Sequence, residues 1–167
     1  MRKYLLALVM VCLSLFLGFL LPARPSGWDI VPGVSLGGAF LGETVEMAKA
    51  AFGQPDFALD NGDGSFLMEW GVVPNTGNPP DAKLWTLSNT DDPKAPILKI
   101  GTDVAGYTYH GLTVGDLLSK FFEFLLLTDS ESAAPGYLDW PHKGIGLAVD
   151  PSEANPAVHT IWVMQSE

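Results

Sequence analysis

A glycine-bracketed pentad occurs twice in this chain, and self-similarity at a fixed spacing constrains a fold more than any local preference does. Gly33-Val34-Ser35-Leu36-Gly37 returns 78 residues later as Gly111-Leu112-Thr113-Val114-Gly115. Leu84-Trp85-Thr86-Leu87 returns 77 residues later as Ile161-Trp162-Val163-Met164. Between them, a segment ending Glu69-Trp70 is echoed by one ending Asp139-Trp140. The order and spacing predict two copies of one unit, at 28–94 and 95–167.

Each copy reads as a glycine loop, a helix and then strands. In the first, Val45, Ala48 and Phe52 recur at helical spacing from Thr44, with Gly53 placed to cap and Pro55 beyond it. In the second, Asp116 suits a helix start, and Leu117, Leu118, Phe121, Phe122, Phe124 and Leu125 predict a helix that is apolar nearly all round. Phe66, Met68, Trp70 and Val72 alternate as one face of a strand, as do Ile145, Leu147 and Val149, and more weakly Val158, Thr160, Trp162 and Met164. Gly144, Gly146 and Ala148 form a bare opposite face that admits a close neighbour. Further strands are expected at 98–100 and 107–109. Short turns at 61–64 and 150–156 imply hairpins, hence an antiparallel sheet. The expected fold class is α+β: two tandem helix-plus-antiparallel-sheet repeats with the helices packed on one side of the sheet.

Residues 1–26 are set apart. Arg2 and Lys3 precede an apolar run from Leu5 to Leu21, and Pro22 and Pro25 break it, which is the layout of a secretory signal. Tyr4 to Leu21 also has roughly the length of a bilayer core, so the segment reads as a signal peptide or as an N-terminal membrane anchor. Either way the domain, 27–167, is secreted or extracytoplasmic. Cys12, the single cysteine, sits inside the apolar run without a lipidation context. The domain therefore has neither disulfides nor a cysteine nucleophile.

Charge excludes further classes. The whole chain has a net charge of −10, but the domain keeps only six lysines and no arginine against all 19 acidic residues. Such a surface repels nucleic acid and anionic lipid, and favours cationic partners, calcium or simple solubility. Lacking arginine, it has no bidentate clamp for phosphate.

The pentads, the helix ending Phe52-Gly53-Gln54-Pro55 and the repeat length resemble the tandem-repeat modules typified by β-lactamase inhibitory proteins; the small outer-membrane assembly lipoproteins have a related single unit. The resemblance implies an exported, non-enzymatic protein that binds protein partners across an exposed sheet face. It transfers no contact residue, because the disulfides of the former and the lipidation cysteine of the latter are missing.

No residue set points to catalysis. His110, His142 and His159 lack metal-ligand spacing. Gly33–Gly37 matches G-x-S-x-G as a string, but its second copy carries Thr113, so Ser35 reads as a helix-entry cap rather than a nucleophile. Asp60-Asn61-Gly62-Asp63-Gly64-Ser65 starts like a calcium loop, yet position 71, where the bidentate Glu belongs, is Gly. Overlapping turn signals explain the segment better, with weak calcium binding left open. Glu69 and Asp139 are predicted to face solvent while Trp70 and Trp140 point inward; as a pair they would suit a glycosidase. Trp85 and Trp162 are expected in the core by their repeat symmetry, and Trp28 is the freest to be exposed.

The expected function is thus an exported, acidic, inhibitor-like binding module. It would recognise a protein partner in the envelope or outside the cell, without a cofactor, metal or enzymatic activity, through the solvent side of the sheet. Glu69, Asp139 and Trp28 are the partner-binding candidates. It would not bind nucleic acid, and would meet a membrane only through residues 4–21 if these stay uncleaved. The alternatives are an exported hydrolase using acidic residues, or a membrane-tethered structural or assembly factor.

Overall fold

The computed structural model describes residues 29–167. The leader, Cys12 and the candidate Trp28 lie outside the described residues.

Eight segments alternate strongly enough to pair into one antiparallel sheet, and three short ones form a second. The short sheet comprises β1 (Ile30–Val31), β2 (Ser35–Leu36) and β3 (Ala39–Phe40). The long one comprises β4 (Phe57–Asp60), β5 (Phe66–Val72), β6 (Ala82–Ser88), β7 (Ile97–Thr102), β8 (Glu131–Ala134), β9 (Tyr137–Trp140), β10 (Ile145–Val149) and β11 (Val158–Met164). Its order is β4-β5-β6-β7-β11-β10-β9-β8. Two meanders therefore run in from opposite edges and meet where β7 pairs with β11.

The hairpin turns follow from their residues. Between β4 and β5, Asp60 Oδ1 accepts from the Gly62 amide at 2.8 Å, and Asp63 Oδ1 accepts from the Ser65 amide at 2.9 Å and its hydroxyl at 2.6 Å. Gly62 and Gly64 supply the positive φ, +73° and +87°, that the reversal needs. These carboxylates are engaged by the turn's own donors.

One face of the long sheet carries the core. Met68, Trp70, Leu84, Ile100, Trp140, Leu147, Ile161 and Val163 pack there beneath Ile30, Leu36 and Ala39 of the short sheet. Helix α1 (Val45–Phe52) adds Val45 and Ala48, with Thr44 Oγ1 accepting from the Met47 amide as an N-cap. Trp140, fully buried, donates its indole N–H to the Leu126 carbonyl at 2.8 Å.

The α+β expectation, two helix-plus-sheet repeats, is corrected here. Among the described residues strand far outweighs helix, and the α-helices run to only eight and four residues. Helix α2 (Leu118–Phe121) stops after one turn. Its continuation is taken by tertiary contacts: the Lys143 ammonium donates to the Phe124 carbonyl at 2.8 Å, Trp140 to that of Leu126, and His110 stacks flat on the Phe124 ring at 4.2 Å. Phe121 at the end of this turn and Leu125 just beyond it are both fully buried in the core, while Ser119, Lys120 and Glu123 stay exposed.

The two pentads also differ. Ser35 is buried in strand β2 with its hydroxyl unpartnered, so it caps no helix; the second copy forms turns, where Thr113 Oγ1 accepts from the Gly106 amide at 3.1 Å. Trp85 lies on the third strand of its meander and Trp162 on the fourth of the other, so they are not topological equivalents. The strand expected at 107–109 is reduced to isolated bridges.

The core assignment predicts unequal costs for identical substitutions. Leu147→Ala, at a fully buried site, should lower unfolding stability by about 2–5 kcal/mol, whereas Leu127→Ala, half exposed, should change it by less than about 0.5 kcal/mol. Urea midpoints of the two variants check this.

Candidate functional site

The register of the long sheet lines up one lateral row across all eight strands. Phe57 faces Glu69, Glu69 faces Trp85, Trp85 faces Gly101, and Gly101 faces Trp162. Trp162 then faces Gly146, Gly146 faces Asp139, and Asp139 faces Glu131. Directly opposed residues share a face, and this row lies opposite Trp70, Ile100, Ile161 and Trp140.

The two glycines determine how the row is filled. A Cβ on Gly101 would collide with Cζ2 and Cε2 of Trp85, and one on Gly146 with Cε2 and Nε1 of Trp162. Each indole lies down across the bare backbone of the next strand. Each is then pinned by a carboxylate: Trp85 donates to Asp103 Oδ1 at 3.1 Å, and Trp162 to Asp139 Oδ1 at 3.0 Å. Asp103 also accepts from the Thr160 hydroxyl at 2.9 Å and the Ala82 amide at 3.1 Å, so it ties β6, β7 and β11 together.

Around these rings the open face forms a cleft of about 640 Å³. Trp85, Trp162, Leu67, Leu87 and Tyr137 supply its apolar surface; Glu69, Asp63, Asp81, Asp103 and Lys99 supply its charge. The Lys99 ammonium stands 5.8 Å from the Trp162 ring centre, a cation over an aromatic face.

Glu69 is the unusual member. Only 2% of its surface is exposed, and Oε2 has no hydrogen-bond partner. Loss of hydration, reinforced by the Asp103 and Asp81 carboxylates, pushes its pKa up to about 7. Burial also raises Asp103, against the pull of its three donors. A carboxyl that ionises near neutrality and holds an unpartnered, solvent-shielded oxygen in the wall of a cleft can change its proton occupancy, and can take a donor or cation where the neighbouring side chains move aside.

The sequence candidates separate. Glu69 lines the cleft but is buried rather than solvated, because the sheet and cleft walls enclose it. Asp139 is on the same row, holding Trp162, but five strands away, roughly 24 Å along the sheet at about 4.8 Å per strand. The glycosidase-type pair is therefore ruled out by distance. Trp85 and Trp162, expected in the core, lie on the opposite face of the sheet from the main core, where Trp162 is buried all the same and Trp85 is half-buried; Trp70 and Trp140 are in the main core. Asp103, Asp81 and Lys99 carried no local signal, since only strand pairing brings them together. The bare face at Gly146 is filled by Trp162, while Gly144 meets the backbone of Gly33. Among the described residues no group of three or more His, Cys, Asp or Glu side chains is arranged to hold a metal ion.

No protein-family model and no curated protein matches the chain. Solved structures do. An extracellular protein containing an SCP domain from Bacillus anthracis aligns over 75% of this chain and 44% of its own, with TM-score 0.52 and 8% identity. A cysteine-rich secretory protein from Staphylococcus aureus aligns over 82% of this chain and 49% of its own, with TM-score 0.48 and 12% identity. The chain thus spans less than half the length of either protein. The first likeness shows a shared fold.

Two measurements follow from this geometry. Gly101→Ala and Gly146→Ala should each lower stability by about 1–3 kcal/mol through overpacking, read as a lower urea midpoint with altered indole fluorescence. Glu69 should also make stability depend on pH. Between 4.5 and about 7 the folded chain keeps a proton that the unfolded chain has released, so stability falls as pH rises through that window and levels off above it. The fall attributable to Glu69 is about 1–3 kcal/mol, allowing for water in the cleft. Glu69→Gln should remove most of this slope and be the more stable form at pH 8, with Asp103 contributing a residual slope of the same sign.

Proposed function

We propose that the chain is an exported, non-enzymatic binding module that receives a protein partner in the cleft on the open face of its long sheet. The observation that carries the reading is the row itself. The fold buries most of one sheet face and leaves on the other a cleft walled by the half-buried Trp85 and the largely buried Trp162, both held flat by glycines and carboxylates, a prearranged surface of the kind on which binding hot spots are built. Export is supported by the leader-like residues 1–26, and by a fold shared with a protein described as extracellular. Among the described residues no helix is long and apolar enough to cross a membrane. The reading agrees with what the resemblance to inhibitory proteins implies, binding across an exposed sheet face, without assigning a target.

A second reading rests on Glu69. A carboxyl ionising near 7 has the range of a general acid or base, so a hydrolase that uses Glu69 with Asp81 or Asp103, rather than Asp139, is the rival. Complete loss of a hydrolytic activity in Glu69→Gln, on a broad substrate panel, would establish it.

The binding reading is tested by capture from the native culture medium. The wild-type protein should retain one protein saturably. Leu87→Arg, which fills the cleft from its wall, should lose that protein at least tenfold, while Met47→Ala, at an exposed position of helix α1, retains it. Equal retention by Leu87→Arg places the partner elsewhere and overturns the assignment.

A further inference from the structure

We infer that the cleft takes the side chain of a lysine or arginine from a basic segment of the partner, its stem lying along the Trp85 indole and its cation drawn to the Glu69 carboxyl, whose shielded oxygen it uncovers on entry. This deepens the proposed function and rests on the cleft being the partner's site.

Four observations converge on a cation. Glu69 is almost completely buried, yet Oε2 has no donor, and the described chain brings none to it. Trp85 is the residue directly across from Glu69 in the register and lines the same cleft, its indole reaching away over Gly101 of the next strand. The same cleft already shows the pairing it would use, with the Lys99 ammonium over Trp162. Finally, acids dominate the surroundings. Asp81 and Asp103 face Glu69 closely enough to raise it, and Asp63 lines the cleft from the β4–β5 turn. On the strands flanking β5, Phe57 of β4 is neutral and Trp85 of β6 is followed on the same face by Leu87, with Lys83 toward the other end. Lys99 of β7 is the cation among the residues that line the cleft, and it stands over Trp162.

A cation entering beside Glu69 relieves the repulsion among three carboxylates and supplies the absent donor. Long side chains of this type lay their methylenes on apolar surface and present the charge at the tip, which matches a cleft with indole walls and a carboxyl at one end. The domain's charge, six lysines against 19 acids, draws a basic segment toward it. Because binding requires ionised Glu69, affinity should rise with pH across neutrality.

The test follows the indole N–H resonances of the purified 15N-tryptophan-labelled protein with three probes: acetyl-Gly-Lys-Gly-amide, its norleucine counterpart and an N-acetylglucosamine hexamer. At pH 8 the lysine peptide should shift the Trp85 signal and the norleucine peptide should not. At pH 5.5 its affinity should fall at least tenfold, since a carboxyl titrating near 7 is then mostly protonated. Glu69→Gln, its dispersed spectrum confirming the fold, should behave at pH 8 as the wild type does at pH 5.5. Equal binding of both peptides, no response to either, or lysine binding that ignores pH and Glu69→Gln overturns the cation assignment and leaves the cleft as a partner site. A response to the sugar hexamer alone overturns both. Lysine-peptide binding together with partner capture that Leu87→Arg does not disturb supports the cation pocket and overturns the docking assignment.

Discussion

The indoles of Trp85 and Trp162 lie flat because the residues beside them, Gly101 and Gly146, have no side chains, and the whole open face is organised by that pairing. Twelve residues of α-helix, a small three-stranded sheet and the irregular segment carrying Tyr107, Tyr109 and Leu125 cover most of one side of the eight strands. The uncovered side still holds large aromatic groups. Laying each ring over a glycine hides one indole face against backbone, while the N–H finds a carboxylate. The result is a smooth apolar floor rather than projecting rings, and a long sheet that tolerates one solvent-facing side.

Holding the rings down places acids in an enclosed setting. Asp103 serves Trp85, Thr160 and the Ala82 amide at once, binding the two meanders near their junction. Its own charge then falls on Glu69, which lies on the same face of β5 with no donor to balance it. The structural carboxylate and the unsatisfied one are thus linked: burial does most to make Glu69 easy to protonate, and the Asp103 charge that the fold needs adds to it. Buried polar groups are normally paired, so an oxygen without a partner next to an aromatic wall is where a ligand has most to offer this molecule.

Much of the sheet was legible in the residues. Alternation located β5, β10 and β11, and overlapping Asn-Gly and Asp-Gly signals located the β4–β5 turn. Helix α1 was readable from Thr44 at its start and Gly53 at its end, since capping groups act within a few residues. The long second helix was not to be had from periodicity, because Lys143, Trp140 and His110 compete for its carbonyls and rings from distant positions. The repeated Leu-Trp and Ile-Trp strings misled for a related reason. Similar strands suit any place in a sheet, and only their partners distinguish the third strand of one meander from the fourth of another.

The amino-acid order by itself determined which residues share a strand face, where the chain reverses, and how strongly acidic the domain is, because these depend on period-two geometry, turn chemistry and counting. Which face would be covered was decided only in three dimensions. The cover comes chiefly from residues 30–52 and 107–125, and it settled on the side of Trp70 and Trp140, leaving Trp85 and Trp162 on the other face, outside the main core cluster. The same choice enclosed Glu69 between a ring and two other acids. Burial and electrostatic neighbourhood are properties of groups brought together from far apart in the chain, and no local pattern contains them.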